Sequence, residues 1–207
     1  MIIHFMPIPM STVAVFDFDK TLTTRDSLLP FLFFTHGWLR TSRHFIFLIP
    51  IFVQFLFNKQ LRQNVKEQIL TSFYAGCSFK TMQEWGQNYA HQQLDRYLNP
   101  LAMKRLAWHQ AQGHRCLLIS ASLDLYLKPW AQRHGFEEIL SSRLELNKNQ
   151  QVTGRLAGLN CWGPEKKQKL LDYLGPKALY ELYVYGDSQG DQDILTLADH
   201  PYYRTFE

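Results

Sequence analysis

The segment TVAVFDFDKTLT, residues 12–23, places two carboxylates directly after a short apolar run. Residues 12–16 are β-branched or apolar, which predicts a buried strand ending before Asp17. Asp19 follows two residues later, and Thr21 adds a hydroxyl. In open α/β sheets ligands bind beyond the carboxyl ends of strands, so this is a candidate reaction site. Two close carboxylates repel each other, and a hard cation such as Mg2+ would relieve that repulsion.

Two later apolar runs are also followed by polar residues near the predicted end of a strand. The run at residues 116–119 is followed by Ser120, whose hydroxyl can bind a phosphate oxygen. The run at residues 182–185 is followed by Asp187, and Asp191 comes four residues later. One of these aspartates can bind a metal while the other orients it. Isolated Asp-x-Asp pairs and strand-terminal serines are also common in turns and helix caps, so the argument depends on their combination.

A lysine lies in the first turn of a predicted helix that begins at Pro164. Lys166 is unfavourably placed with respect to the helix dipole, which would be explained by a nearby anion. The alternative is a solvated basic face, because Lys167 and Lys169 follow closely.

The composition indicates a globular chain that is large enough for a sizeable core. It has 207 residues, of which 46% are hydrophobic and 19% charged, and its net charge is +4. That charge is compatible with an anionic substrate or a membrane surface, but no dense basic patch indicates a nucleic acid partner. Three widely spaced cysteines favour a reducing compartment, and residues 1–10 show no signal-peptide pattern. We therefore expect a cytoplasmic protein.

Residues 25–100 are predicted to contain helices only. Two apolar runs, residues 28–39 and 45–57, are separated by a basic break at residues 40–44, and neither run is long enough to span a bilayer. They can pack together as core helices, or they can form an apolar surface that contacts a membrane. In the second case the anchors for anionic headgroups would be Arg40, Arg43, Lys59 and Arg62.

Further elements follow from the same patterns. Ser78 is expected to cap a long helix reaching about Leu98, and Ser122 to cap the helix after the second strand. Residues 137–146 and 151–156 are predicted as strands joined by a polar turn.

Together these residues resemble the haloacid dehalogenase superfamily of phosphohydrolases, particularly the branch that includes phosphoserine phosphatase. Its four motifs match in order, as Asp17-Phe18-Asp19-Lys20-Thr21, then Ser120, then Lys166, then Gly186-Asp187 with Asp191. Lys167 is the alternative for the third motif. The apolar stretch after the first motif is also similar to phosphatidylglycerophosphatase C and its relatives in this branch.

The resemblance implies an α/β fold, a three-layer Rossmann-like parallel sheet with an inserted all-helical cap. The core would comprise residues 11–24 and 101–207, and the cap residues 25–100.

It also implies a Mg2+-dependent phosphatase. Asp17 would be the nucleophile that becomes an aspartyl-phosphate, and Asp19 the acid and base. Mg2+ would be held by Asp17, the backbone carbonyl of Asp19 and Asp187, with Asp191 behind them. The implied phosphate-binding residues are Thr21, Ser120, Ala121 and Lys166.

The sequence does not identify the substrate, because cap residues determine substrate specificity and no residue of the predicted cap indicates a particular ligand. It is a small or a lipid phosphomonoester, the latter hydrolysed at the inner face of the membrane. A phosphotransferase and a non-catalytic phosphate-binding module are further alternatives, and the oligomeric state is undetermined.

Overall fold

The computed structural model describes residues 11–57 and 62–207, and for residues 47–57 it describes the backbone alone. The signal-peptide expectation for residues 1–10 and the anchoring role of Lys59 concern residues outside this part of the chain.

A five-stranded parallel sheet forms the centre of the molecule. Its strand order is β3-β2-β1-β6-β7, so β1 lies in the middle and the chain crosses to both sides of it. The bounds of the strands are β1 Ser11–Phe16, β2 Arg115–Leu123, β3 Glu138–Ser142, β4 Leu144–Leu146, β5 Val152–Leu156, β6 Tyr180–Gly186 and β7 His200–Tyr203. β7 forms one edge of the sheet, near the C-terminus.

Side chains of β1 alternate between two apolar layers, because successive strand residues point to opposite faces. Ala14 and Phe16 pack in the core that contains α4 and α5, which are Pro100–Ala111 and Asp124–Arg133. Val13 and Val15 pack in the core that contains Leu170 and the helices α6 and α7, which are Pro164–Leu174 and Gln192–Leu195. Helices therefore cover both faces of the sheet, and the predicted three-layer α/β fold is confirmed.

Between β1 and β2, the described residues from 25 to 99 form helical segments and their connections. These are α1 Leu28–Phe57, α2 Arg62–Tyr74, α3 Phe79–Gln92 and a 3-10 turn at Leu94–Tyr97. Two isolated bridges tie this part to the rest, joining Thr23 to Leu98 and Ser78 to Gln151. The exact cap and core boundaries stay predictions.

The break in the apolar region lies at Gly37, not at the basic residues 40–44 as predicted. Gly37 has φ +71° and ψ 170°, which interrupts α1 in a conformation that glycine adopts without steric cost. Arginine is a good helix former, so Arg40 and Arg43 lie within a helical segment.

Two further expectations need correction. The helix capped by Ser78 ends at Gln92, before Leu98, and a 3-10 turn follows it. In that turn Asp95 faces Trp130, and the Nε1 atom of Trp130 donates a hydrogen bond to Asp95 Oδ1 over 2.8 Å. The predicted strand over residues 137–146 is divided into β3 and β4. β4 leaves the parallel sheet to pair antiparallel with β5, Leu144 lying opposite Leu156.

The β4–β5 hairpin contacts helix α2. A side chain at Gly154 would lie 2.4 Å from the Thr71 Cα atom, so glycine allows the hairpin to approach the helix closely. Glu67 accepts a hydrogen bond from the Leu156 N–H over 3.1 Å, and Gln63 accepts one from the Asn160 N–H over 3.2 Å. The hairpin thereby fixes α2 relative to the sheet.

Candidate active site

The register of the sheet brings three strand ends to one edge. Phe16 of β1 pairs with Leu118 of β2 and with Tyr185 of β6. The polar residues that follow these positions are Asp17, Ser120 and Asp187. Residues that are far apart in the sequence therefore meet at the carboxyl edge, as ligand-binding residues do in open α/β sheets.

A tight turn after β1 presents the first motif. Lys20 has φ +62°, a left-handed conformation uncommon outside glycine, and its N–H donates to the Thr23 hydroxyl over 3.2 Å. The Thr23 N–H donates to the Phe18 carbonyl over 3.0 Å, which closes the turn. Thr21 lies close enough for its hydroxyl to donate to Asp17 Oδ2 over 3.4 Å.

The first turn of α6 carries Lys166 into the site. Its side chain is 2% exposed, and its Nζ atom lies 2.5 Å from Asp17 Oδ1 and 2.6 Å from Asp191 Oδ1. Lys166 is thus the lysine that the structure brings to the strand ends, rather than its neighbour Lys167. The anion expected near this helix start is the carboxylate pair itself.

The loop after β6 holds Asp191 rigidly. Asp191 Oδ2 accepts hydrogen bonds from the Asp187 N–H, the Ser188 N–H and the Ser188 hydroxyl over 2.7–3.2 Å. Gly186 is needed here because a Cβ atom at that position would lie 2.6 Å from the Asp191 Cβ atom.

Three carboxylates gather at this edge. Oxygen atoms of Asp17, Asp187 and Asp191 lie within 4.8 Å of one another. The Lys166 ammonium contacts two of them, Asp17 and Asp191, and the three ionised carboxylates with this one ammonium have a formal charge of −2. An all-oxygen donor set with this charge fits a hard divalent cation such as Mg2+.

The pKa directions reflect this crowding. Burial, reinforced by Asp191, raises the pKa of Asp17 to about 8 despite the ammonium of Lys166. Burial also raises the pKa of Asp187. Burial would raise the pKa of Asp191 too, but Lys166 and Ser188 outweigh it and lower that pKa. A cation in this cluster would favour the ionised form of all three groups.

Asp19 lies beside the cluster, held by two serines. Its Oδ1 atom accepts from the Ser27 N–H over 2.8 Å, and its Oδ2 atom from the Ser122 hydroxyl over 2.5 Å. Burial and the charge of Asp26 raise the pKa of Asp19 to about 7. A carboxyl group with this pKa can both donate and accept a proton near neutral pH.

Ser122 is therefore not the helix cap that the sequence predicts. Leu123 occupies the N-cap position of α5 and gives no side-chain cap. β2 extends to Leu123 with a register shift between Ser120 and Leu123, so Ser122 is directed to Asp19 instead. The hydroxyl of Ser120 accepts a hydrogen bond from the Ser122 N–H over 3.0 Å.

Sequence reasoning missed three residues near Asp19. Ser27 and Ser122 share a hydroxyl contact of 2.9 Å, and both bind Asp19. Lys66 of α2 donates to the carbonyl of Ala121, which follows Ser120 near the end of β2. The pattern around Ser122 predicts an ordinary helix cap, and nothing in the local pattern around Lys66 separates it from a surface lysine.

The chain matches the family model of haloacid dehalogenase-like hydrolases over residues 14–196. It belongs to this family.

The chain is also similar to individual proteins. Protein CicA of Caulobacter vibrioides is 29% identical over 194 residues, which cover 94% of this chain and 86% of that protein. A histidinol-phosphatase of Neisseria meningitidis is 22% identical, covering 93% and 89% of the two chains. The fold also matches a phosphoserine phosphatase structure containing an analogue of the phospho-aspartyl intermediate, with a TM-score of 0.59, 14% identity and coverage of 91% and 83%.

The family expected from the four motifs is thereby confirmed, and the chain is an enzyme of the hydrolase class. Phosphatases occur both among its sequence relatives and among its structural neighbours. The structure brings Asp17, Lys166, Asp187 and Asp191 together and places Asp19 next to Ser122. The individual roles of these residues stay predictions.

Proposed function

We propose that this protein is a Mg2+-dependent phosphatase that hydrolyses a phosphomonoester through an aspartyl-phosphate on Asp17. The observation that carries the proposal is the buried contact of Asp17 with Lys166 beside two further carboxylates at the strand ends. The phosphatases among the relatives support this reaction class.

In the first step a carboxylate oxygen of Asp17 attacks phosphorus, and the ester bond to the leaving oxygen breaks. Asp19 donates its proton to that oxygen, which its pKa of about 7 allows at neutral pH. In the second step Asp19 takes a proton from water, which then attacks phosphorus and releases phosphate and Asp17.

The phosphoryl group carries negative charge that must be stabilised throughout. The ammonium of Lys166 and the hydroxyls of Thr21 and Ser120 supply part of this stabilisation, together with the backbone N–H of Ala121. Asp17, the backbone carbonyl of Asp19 and Asp187 would hold Mg2+, with Asp191 orienting them. The cation, when bound, offsets repulsion between the phosphate and the carboxylates.

A panel of phosphomonoesters tests the proposal. We expect phosphate release from at least one of phosphoserine, histidinol phosphate, phosphatidylglycerophosphate and an aryl phosphate in Mg2+. A chelator should lower it by at least about 10³-fold, because charge stabilisation by a metal is worth several kcal/mol, and added Mg2+ should restore it. Turnover that persists in chelator contradicts the metal assignment. If no compound is turned over, a phosphate-binding module is favoured. If the phosphoryl group is transferred to an alcohol acceptor, a phosphotransferase is favoured.

A second candidate is a phospholipid phosphatase at the cytoplasmic face of a membrane. Its support is an exposed apolar surface on α1, formed by Trp38 (72% exposed), Leu39 (81%) and Ile46 (63%). Arg40 and Arg43 lie among these residues, and cations beside an apolar helix face favour anionic lipid headgroups. No helix in the described part of the chain has the length and apolarity needed to cross a bilayer. The cytoplasmic setting is part of this proposal and rests on three unpaired cysteines.

Vesicle flotation tests this candidate. We expect the protein to float with vesicles containing phosphatidylglycerol at low salt, and Trp38→Glu with Leu39→Glu to abolish flotation. These substitutions remove the apolar anchor and add charge that anionic lipids repel. Leu179→Glu, which replaces an exposed leucine just before β6, is the matched control and should float like the original protein. Equal flotation of all three would assign binding to another surface, and no flotation would remove the candidate.

A further inference from the structure

Helix α2 carries a lysine that reaches from the helical region to the carboxyl edge of the sheet. Lys66 Nζ donates to the carbonyl of Ala121 and, over 2.9 Å, to Asn160 Oδ1. Asn160 Oδ1 also accepts from the Ser142 hydroxyl over 3.0 Å, so this oxygen is already shared. Both of these hydrogen bonds of the Lys66 ammonium therefore go to neutral oxygen atoms.

The ammonium of Lys66 has no carboxylate partner among residues 11–46 and 62–207, whose side chains the structure describes; none of the ion pairs within 4 Å includes it. Burial consequently lowers the pKa of Lys66 to about 8, although Asp19 and Asp26 act against this at longer range. A desolvated cation without a counter-ion is costly in a folded protein. Such a group beside a cavity is a functional-site candidate.

Lys66 lines a cavity of about 210 Å³ between α2 and the sheet. Its polar lining includes Asp19, Asp26, Arg62 and Ser122. The apolar side chains of Leu28, Val65 and Ile69 form part of its wall. Because Asp19 is the proposed acid for the leaving oxygen, the alcohol part of the substrate would lie in this cavity.

We propose that Lys66 binds an anionic group on the alcohol part of the substrate, so that the enzyme prefers phosphomonoesters that carry a second negative charge. This inference rests on the proposed phosphatase function. A carboxylate and a second phosphate share the required chemistry, since each accepts a charge-assisted hydrogen bond from an ammonium. The third N–H of Lys66, which Ala121 and Asn160 leave over, is available for that bond.

Matched substrate pairs test the proposal. O-phosphoserine differs from O-phosphoethanolamine by one carboxylate, and glycerol 1,3-bisphosphate differs from glycerol 3-phosphate by one phosphate. We expect the original enzyme to have a higher kcat/KM for the more anionic member of at least one pair. The pair that responds identifies the source of the charge.

Substitutions at Lys66 show whether this residue causes the preference. Lys66→Gln keeps hydrogen-bond donors for Ala121 and Asn160 but removes the charge. It should lower kcat/KM for the anionic member by about tenfold or more, the size expected for losing one charge-assisted hydrogen bond, and change the other member by about twofold at most. Lys66→Arg should retain the preference, and Lys80→Gln, on the exposed side of α3, should leave both values unchanged.

A purely structural role would give a different result. If Lys66 only holds the end of β2 at Ala121, or binds the transferred phosphate itself, Lys66→Gln lowers kcat/KM for both members of a pair equally, and the inference is wrong. The absence of any anionic preference in the original enzyme, in turnover or in calorimetric binding to Asp17→Asn, also overturns it. Failure of the phosphatase proposal is distinguishable, because all phosphomonoesters would then remain unhydrolysed.

Discussion

Asp17→Asn should lower phosphate release by at least about 10⁴-fold, because removal of a nucleophile costs catalysis about 10⁴–10⁶-fold in well-studied enzymes. The amide nitrogen and oxygen of asparagine fill the same space but lack a nucleophilic carboxylate. A buried acid whose pKa is raised by burial loses an unfavourable charge in this variant, so its fold should persist. The measurement is phosphate release in Mg2+ together with circular dichroism and thermal unfolding.

Asp172→Asn is the matched control. Asp172 lies on the exposed side of α6 and accepts a hydrogen bond from Gln168 over 2.7 Å, away from the strand ends. It should retain full activity. Phosphate release by Asp17→Asn within about tenfold of the original protein would remove Asp17 from the role of nucleophile, whatever the result for Asp172.

Lys166→Met should have the second largest effect, on activity and stability together. It leaves Asp17 and Asp191 facing each other without the ammonium that both contact. We expect activity to fall by at least about 10²–10³-fold, as for loss of one preorganised donor. Removing one partner of a buried ion pair should lower the free energy of unfolding by about 3–5 kcal/mol. Phosphate release in Mg2+ and denaturant unfolding in chelator measure the two effects.

The stability loss should depend on pH. Lys166 holds the pKa of Asp191 down against burial, so without Lys166 that pKa rises in the folded variant, which then binds more protons above pH 5 than the original folded protein does. Stability then increases as the pH falls, and the loss should be smaller at pH 5 than at pH 8. Lys167→Met is the control and should behave like the original protein at both values. A larger effect at Lys167 than at Lys166 would reverse the assignment of the two lysines.

The positions of the main site residues could be predicted because they follow local rules. An apolar run ends, and polar residues appear directly after it, at Asp17, Ser120 and Asp187. Parallel pairing then brings these ends together without any further information. The unfavourable place of Lys166 in the first turn of a helix made it a candidate, and the family resemblance favoured it over a solvated basic face.

The surroundings of Asp19 could not be predicted in the same way. Ser122 has the sequence signature of a helix cap, and only the extended end of β2 directs it to a carboxylate instead. Lys66 depends on the docking of α2 against the β4–β5 hairpin, a contact between residues far apart in the chain. Local patterns carry no information about such contacts, so the specificity of the enzyme is the part that sequence leaves open.

The central position of β1 also has a consequence for the newly made chain. Val13 pairs with Arg115 on one side and with Leu182 on the other, so the first strand of the described residues to be synthesised waits longest for its neighbours. At about 5–20 residues per second, β6 emerges on the order of ten seconds after β1. Both edges of this apolar strand are unpaired until β2 emerges, and one edge stays unpaired until β6 does, which exposes the chain to aggregation. The site at Asp17, directly after β1, can therefore form only after a period in which the unpaired strand is open to misfolding and to chaperone binding.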